Sequence, residues 1–145
     1  MSAQRRVVVT GLGVVSPVGN DVTTAWTNIL AGKSGVARIT RFDPAAYRSQ
    51  IAGEVRDFKI TDYVPAKEVR RMDAFIHYGV AASAQALRDS GIEVTDTNRQ
   101  RIGCMVGSGI GGLPMIEDNH NEVVTRGPRR ISPFLIPGAI INMIA

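Results

Sequence analysis

The sequence predicts an α/β fold with parallel strand pairing, and three observations carry that expectation. Two short runs rich in β-branched or apolar residues, at 5–10 and 101–106, each leave through a glycine turn. The segments between and after them place apolar residues at helical spacing. Glycine and proline punctuate the joins. Strands that alternate with helices in this way pair in parallel, because the helix carries the chain back across the sheet.

Taken in order, residues 5–10 read as a buried strand that exits through Gly11-Leu-Gly13. Ser16-Pro-Val-Gly-Asn20 is loop chemistry, and Asn20 or Asp21 is suited to cap a helix over 22–31 that Gly32 ends. Val22, Ala25, Trp26, Ile29 and Leu30 would form its packing face. Residues 33–50 lack a sustained period and read as an extended excursion, and 51–55 as a short strand. The strongest helix signal covers 71–90, with one alanine-rich face and a second apolar strip through Ile76, Val80, Ala84 and Leu87. Gly91 stops it. Residues 101–106 form a second buried strand opening into Gly107-Ser-Gly-Ile-Gly-Gly112, and 113–125 a further helix broken by Gly127-Pro128. From Phe134 to Ala145 the only polar side chain is Asn142. So apolar an ending expects more protein to bury it, and the chain reads as one incomplete domain over 1–145.

Composition narrows the function classes. The 145 residues are 44% hydrophobic and 21% charged, as in globular domains, and no run is long and apolar enough for a membrane span. Met1 to Arg6 lead directly into the first strand, without the apolar segment of a secretory leader. A single cysteine, Cys104, makes no internal disulfide and supplies no metal cluster, which points to a reducing cytoplasm. The net charge of +4 is mild.

The placement of that charge says more than its sum. Lys67, Arg70 and Arg71 follow i, i+3, i+4 spacing at the expected start of a helix, where cations oppose the macrodipole. Arg129 and Arg130, with Arg126 nearby, form a second cluster. A mildly costly placement favours a partner over a merely solvated face. Nucleic acid is disfavoured, because Glu68 interrupts the first cluster and no aromatic ladder accompanies the arginines.

Three residues invite a catalytic reading and fail it. Cys104 sits between Gly103 and Met105 in an apolar run, where a cysteine is ordinarily a small buried hydrophobe. His77 lies between the apolar strips of the long helix and reads as a hydrogen-bonded packing residue, whereas His120 follows a polar stretch and reads as solvated. Gly107, Gly109 and Gly112 satisfy G-x-G-x-x-G, the turn of a dinucleotide-binding oxidoreductase. Such a turn expects an acidic residue at the end of the next strand, and residues 127–137 contain none.

Four segments together resemble the β-ketoacyl-acyl carrier protein synthases. They are Arg6-Val-Val-Val-Thr-Gly-Leu-Gly-Val-Val-Ser-Pro-Val-Gly-Asn20, Arg70-Arg-Met-Asp73 with its alanine-rich helix, the run Gly107 to Gly112, and Gly127-Pro-Arg-Arg-Ile-Ser-Pro-Phe134. Their order and spacing are similar to the family across essentially the whole chain, and most similar to the synthase II type of fatty-acid synthesis.

The resemblance implies a thiolase-like layered fold (αβαβα), of which only part of the amino-terminal half is present. It implies a homodimer, no dissociable cofactor, no bound metal, and decarboxylative Claisen condensation with malonyl-acyl carrier protein. The family's nucleophilic cysteine and its two histidines match nothing in this chain, so residues 1–145 alone are expected to be inactive. By the same resemblance Ile110, Phe134 and Leu135 line the acyl pocket, although Phe134 and Leu135 also fit an ordinary interface core. Lys67, Arg70, Arg71, Arg129 and Arg130 match the groove that receives acyl carrier protein with its phosphopantetheine-linked acyl and malonyl groups. Two other readings remain open at this point: a polyketide ketosynthase, and a non-catalytic chain-length-factor subunit.

Overall fold

The structure, a computed structural model, describes residues 5–145; the first part of the leader expectation, Met1 to Gln4, lies outside the described residues. The described residues form five helices and one strand pair: α1 (Val22–Leu30), β1 (Val36–Arg38), β2 (Ile51–Gly53), α2 (Ala66–Val69), α3 (Ala74–Ser90), α4 (Leu113–Arg126) and α5 (Leu135–Ala139), joined by short 3-10 turns. The chain divides into two compact units, one made of the residues up to Asp57 with Ala82–Glu93, the other of Phe58–Ala81 with Val94–Ala145.

In the first unit the glycine turn lies directly on the carboxyl-terminal half of α3. A Cβ on Gly13 would fall 2.8 Å from the Ala82 carbonyl carbon and 2.8 Å from the Ala86 nitrogen; one on Gly11 would fall 2.6 Å from the Ser90 nitrogen. Only hydrogen fits between these backbones. The polar face of α3 holds the segment too. Leu12 N–H donates to Asp89 Oδ2 at 2.9 Å, Val14 N–H to Gln85 Oε1 at 3.1 Å, and Gln85 Nε2 donates to the Asn20 carbonyl at 2.8 Å.

α1 then starts where the sequence places it. Asp21 Oδ1 accepts from Thr24 N–H at 2.8 Å, and Gly32 follows the helix at φ +64°. The Thr24 amide and hydroxyl bonds hold the Asp21 carboxyl below its ordinary range. β1 and β2 pair antiparallel in the register Val36–Gly53, Ala37–Ala52, Arg38–Ile51. Beyond β2, Glu54 accepts from the Thr40 hydroxyl at 2.7 Å and the Thr40 amide at 3.0 Å, bonds that lower its pKa.

In the second unit Phe58 meets the Tyr78 ring edge-on at 5.4 Å and stacks on Tyr63 at 6.2 Å. Val64, Ile76, Ala81 and Ala139 are its buried apolar residues, with buried Asp73 and Asn119 among them. α4 packs against α5.

Four local expectations are corrected. Neither 5–10 nor 101–106 is a buried strand: Val7 is 93% and Met105 99% exposed, and no parallel ladder forms among the described residues. A strand needs a neighbouring backbone, and among the described residues the sheet consists of β1 and β2, with neither segment paired to it. Cys104, expected to be buried, is exposed. The long helix begins at Ala74, and residues 70–73 form the turn between it and α2. Lys67 lies inside α2 and Arg70 at its carboxyl-terminal cap, an end where cations are favoured, so the macrodipole argument for a partner does not hold.

Candidate functional site

The site is built around the glycine turn that enters α4. Gly111 takes φ +86°, a left-handed conformation that favours glycine, and its N–H donates to Ser108 Oγ at 3.2 Å. Gly112 N–H donates to the Ala139 carbonyl at 3.0 Å, which brings the turn against α5. A Cβ on Gly112 would lie 2.8 Å from Ala139 Cα and 2.9 Å from Asp73 Oδ2.

α4 has no side-chain cap of its own; Gly112 stands at the N-cap position. Its free amides are satisfied from elsewhere in the unit. Asp73, 7% exposed, reaches in and accepts from Met115 N–H at 2.8 Å through Oδ2. A carboxylate at a helix N-terminus is stabilised by the amides and by the helix dipole. The same geometry speaks against a dinucleotide: the N–H groups that would grip a pyrophosphate are committed to Ser108, Ala139 and Asp73, and a carboxylate occupies the anion position.

One turn further along α4, Asn119 is 9% exposed and fully used. Its Nδ2 donates to the Met115 carbonyl at 2.8 Å and its Oδ1 accepts from Ser132 N–H at 2.7 Å. Ser132 Oγ in turn accepts from Phe134 N–H at 3.1 Å. Asn119 thereby fixes the segment that carries Phe134 and Leu135 to α4. Beside it α4 and α5 enclose an open apolar cavity of about 380 Å³, lined by Ile116, Val123, Ile131, Leu135, Ile136 and Ile140 among others.

The residues singled out in the sequence fall in different places. Leu135 is half-buried and lines this cavity. Phe134 is half-buried and lies under the Arg71 guanidinium, 4.9 Å from ring centroid to guanidinium carbon. Ile110 stands 69% exposed on the glycine turn, and neither it nor Phe134 is a wall of the cavity. Lys67, Arg70, Arg129 and Arg130 are exposed, whereas Arg71 also pairs with Glu68 at 3.1 Å. His77 Nε2 lies 3.1 Å from the Val69 carbonyl, in keeping with a packing role, and His120 is exposed. The described residues contain no cluster of three or more metal-ligating side chains.

Asp73 and Asn119 were assigned no role on sequence grounds. Asn119 did leave a signal, since Ile116, Asn119, His120 and Val123 follow i, i+3, i+4, i+7 spacing. An amide on an apolar helix stripe implies a buried hydrogen-bonding task. Asp73 left none, because its partner Met115 lies 42 positions away.

Comparison with known proteins places this geometry. The family described as "Beta-ketoacyl synthase, N-terminal domain" matches residues 4–145. The 3-oxoacyl-[acyl-carrier-protein] synthase 2 of Vibrio harveyi is 50% identical over 143 residues, covering 99% of this chain and 34% of its own length. That of Coxiella burnetii (strain RSA 493 / Nine Mile phase I) is 54% identical over 140 residues, covering 97% and 34%. The chain thus spans about a third of the length of the curated relatives it matches. Among solved structures, the ishigamide ketosynthase/chain length factor aligns with TM-score 0.78 at 30% identity, over 99% of this chain and 36% of that one. The AntDE:AntF complex, a type II PKS acyl-carrier protein with its ketosynthase bound to the hexaketide, aligns with TM-score 0.74 at 26% identity, over 97% and 37%. The α/β fold is therefore the thiolase-like one of the ketosynthases, seen here in part of its amino-terminal half. From its glycine turns to its basic segments, this chain belongs to the β-ketoacyl synthase family, through that family's N-terminal domain.

Proposed function

We propose that this chain works within a fatty-acid condensing enzyme, an acyltransferase of the synthase II type, and supplies it with carrier-protein docking and part of the acyl pocket. The observation that carries the reading is the match over residues 4–145, with identities of 50% and 54% to proteins named 3-oxoacyl-[acyl-carrier-protein] synthase 2. In the proposed reaction a thiolate takes the acyl group from its carrier as a thioester. Malonyl-carrier protein then loses carbon dioxide, and the resulting carbanion attacks the thioester carbonyl and expels the thiolate. We assign neither nucleophile nor catalytic histidine within residues 1–145. Cys104 is exposed and lies in the segment between the 3-10 turn at Arg99–Arg101 and α4, outside any helix start.

Lys67, Arg70, Arg71, Arg129 and Arg130 are our candidates for docking acyl carrier protein. Their exposure supports the role, and so does the AntDE:AntF complex, in which a related ketosynthase is seen with its carrier protein. Complementary charge speeds encounter and orients the partner, here the phosphopantetheine arm with its acyl or malonyl load. Ile110, Phe134 and Leu135 are our candidates for the acyl wall. Leu135 has the firmest support, since it already lines an apolar cavity. No dissociable cofactor enters this scheme. We further propose a homodimer, in which a second copy covers apolar surface such as Ile136 and Ile140, and a cytoplasmic setting, where a thiol-dependent reaction stays reduced. Among the described residues no helix is long and apolar enough to cross a membrane.

The experiment is condensation by the complete protein with acyl- and malonyl-carrier protein, followed by carbon dioxide release. Turnover is expected. Arg70→Glu with Arg71→Glu should weaken carrier affinity about tenfold or more and flatten its dependence on salt. Absence of turnover by the complete protein alone would refute the enzyme reading and favour a chain-length-factor role; unchanged affinity would remove the docking assignment. Residues 1–145 by themselves are expected to show no turnover.

A further inference from the structure

The exposed basic segment and the segment bearing Phe134 are far apart in sequence, yet one line of buried polar groups joins them. Asp73 closes the Arg70-Arg-Met-Asp73 segment and accepts from Met115 N–H at 2.8 Å. The Met115 carbonyl accepts from Asn119 Nδ2 at 2.8 Å, Asn119 Oδ1 accepts from Ser132 N–H at 2.7 Å, and Ser132 Oγ accepts from Phe134 N–H at 3.1 Å. Asp73 and Asn119 are less than a tenth exposed, and each has both ends committed. Two further contacts run alongside. Asp73 N–H donates to the Gly138 carbonyl at 3.3 Å, and the Arg71 guanidinium covers the Phe134 ring.

A buried pair of this kind is expensive to leave half-satisfied, so the relay holds as a unit or gives way as one. An apolar cluster would have supplied equal burial with looser positional control, because hydrogen bonds fix distance and direction. We propose that Asp73 and Asn119 are positioning residues for acyl-chain selection. They hold the segment that carries Phe134 and the cavity-lining Leu135 in register with the basic segment that receives the carrier, so that docking and acyl-length discrimination share one rigid frame. This inference rests on the condensing-enzyme reading above.

The test compares kcat/KM for a short (butyryl) and a long (palmitoyl) carrier-linked primer in the complete protein. The variants are Asn119→Ala, which cuts the relay at its centre, and Ser132→Ala, which removes only its last bond and spares the fold. Asp73→Asn serves as a milder variant than Asn119→Ala, because its one oxygen can still accept from Met115 while its NH2 loses the acceptor for Ala74 N–H. We expect the long-to-short ratio to shift about tenfold in Asn119→Ala, a misplacement effect, and to shift in the same sense but less in Ser132→Ala and Asp73→Asn. Hydrogen exchange at the Ser132 amide should accelerate in Asn119→Ala.

Equal loss on both primers, or an unchanged ratio in both alanine variants, would reduce the pair to scaffolding and overturn the proposal. Unaltered Ser132 exchange would break the relay itself, whatever the activity shows. If the parent protein condenses neither primer, it is the functional reading that falls, and the exchange measurement still judges the relay.

Discussion

The two glycine turns that lead into α1 and α4 look alike in sequence and are built in opposite ways. Before α1, the glycines are the tight part and the cap is local: Gly11 and Gly13 lie on the backbone of α3, and Asp21 caps its own helix through Thr24. Before α4, Gly107 and Gly109 have open space where a Cβ would go, only Gly111 and Gly112 are confined, and the cap is borrowed from Asp73. The first turn is a packing device with a self-sufficient helix start. In the second, the first glycines are free of packing demands, while the helix start depends on a distant residue.

That difference can be attacked directly, beginning where the effect should be greatest. Gly13→Ala places a methyl group against the Ala82 carbonyl, where backbone rather than a flexible side chain must yield. It should cost about 2–3 kcal/mol in urea denaturation of the complete protein. A loss no larger than that of an ordinary surface substitution would mean that the close approach to α3 is not maintained.

Asp21→Ala should cost about 1 kcal/mol by removing the cap. Because hydrogen bonds hold the folded Asp21 carboxyl below its unfolded value, the stabilisation is fully present above the unfolded pKa and is lost as pH falls through the folded one. The difference between parent and variant should therefore shrink in acid and be absent once both states are protonated. A difference independent of pH would assign the effect to something other than the carboxylate.

Smallest of all, Gly109→Ala should change stability by no more than about 0.5 kcal/mol, since nothing lies within 4 Å of the added carbon. A large loss of stability would instead make both glycine turns packing devices and erase the contrast.

What could be read from sequence follows from how far away each partner lies. α1, its Asp21 cap and the Gly32 stop were legible because every group involved lies within a few residues. α4 was legible as a helix over 113–125 with its end at the Gly127-Pro128 break. The start of the long helix was misplaced by three residues, because Asp73 turns the chain there and spends its side chain on Met115 and Ala74. The expected strands at 5–10 and 101–106 had the right composition, but pairing depends on a neighbour that composition does not name. The basic residues were correctly seen as exposed, while the dipole argument about them failed with the helix boundary.

The sequence by itself determined α1 with its cap and stop, α4, most of α3, and the four motifs that mark the β-ketoacyl synthase family, since each is written in residues near one another or in a fixed order. Only the tertiary structure decided that Gly13 must be a glycine, that Leu135 faces a cavity while Ile110 stands in the open, and that Asp73 and Asn119 tie the Arg70–Asp73 segment to Ser132 and Phe134. These are meetings between residues remote in the chain. A buried hydrogen bond takes its partner from wherever the packed backbone presents a donor or acceptor, and that choice is made only when the elements come together.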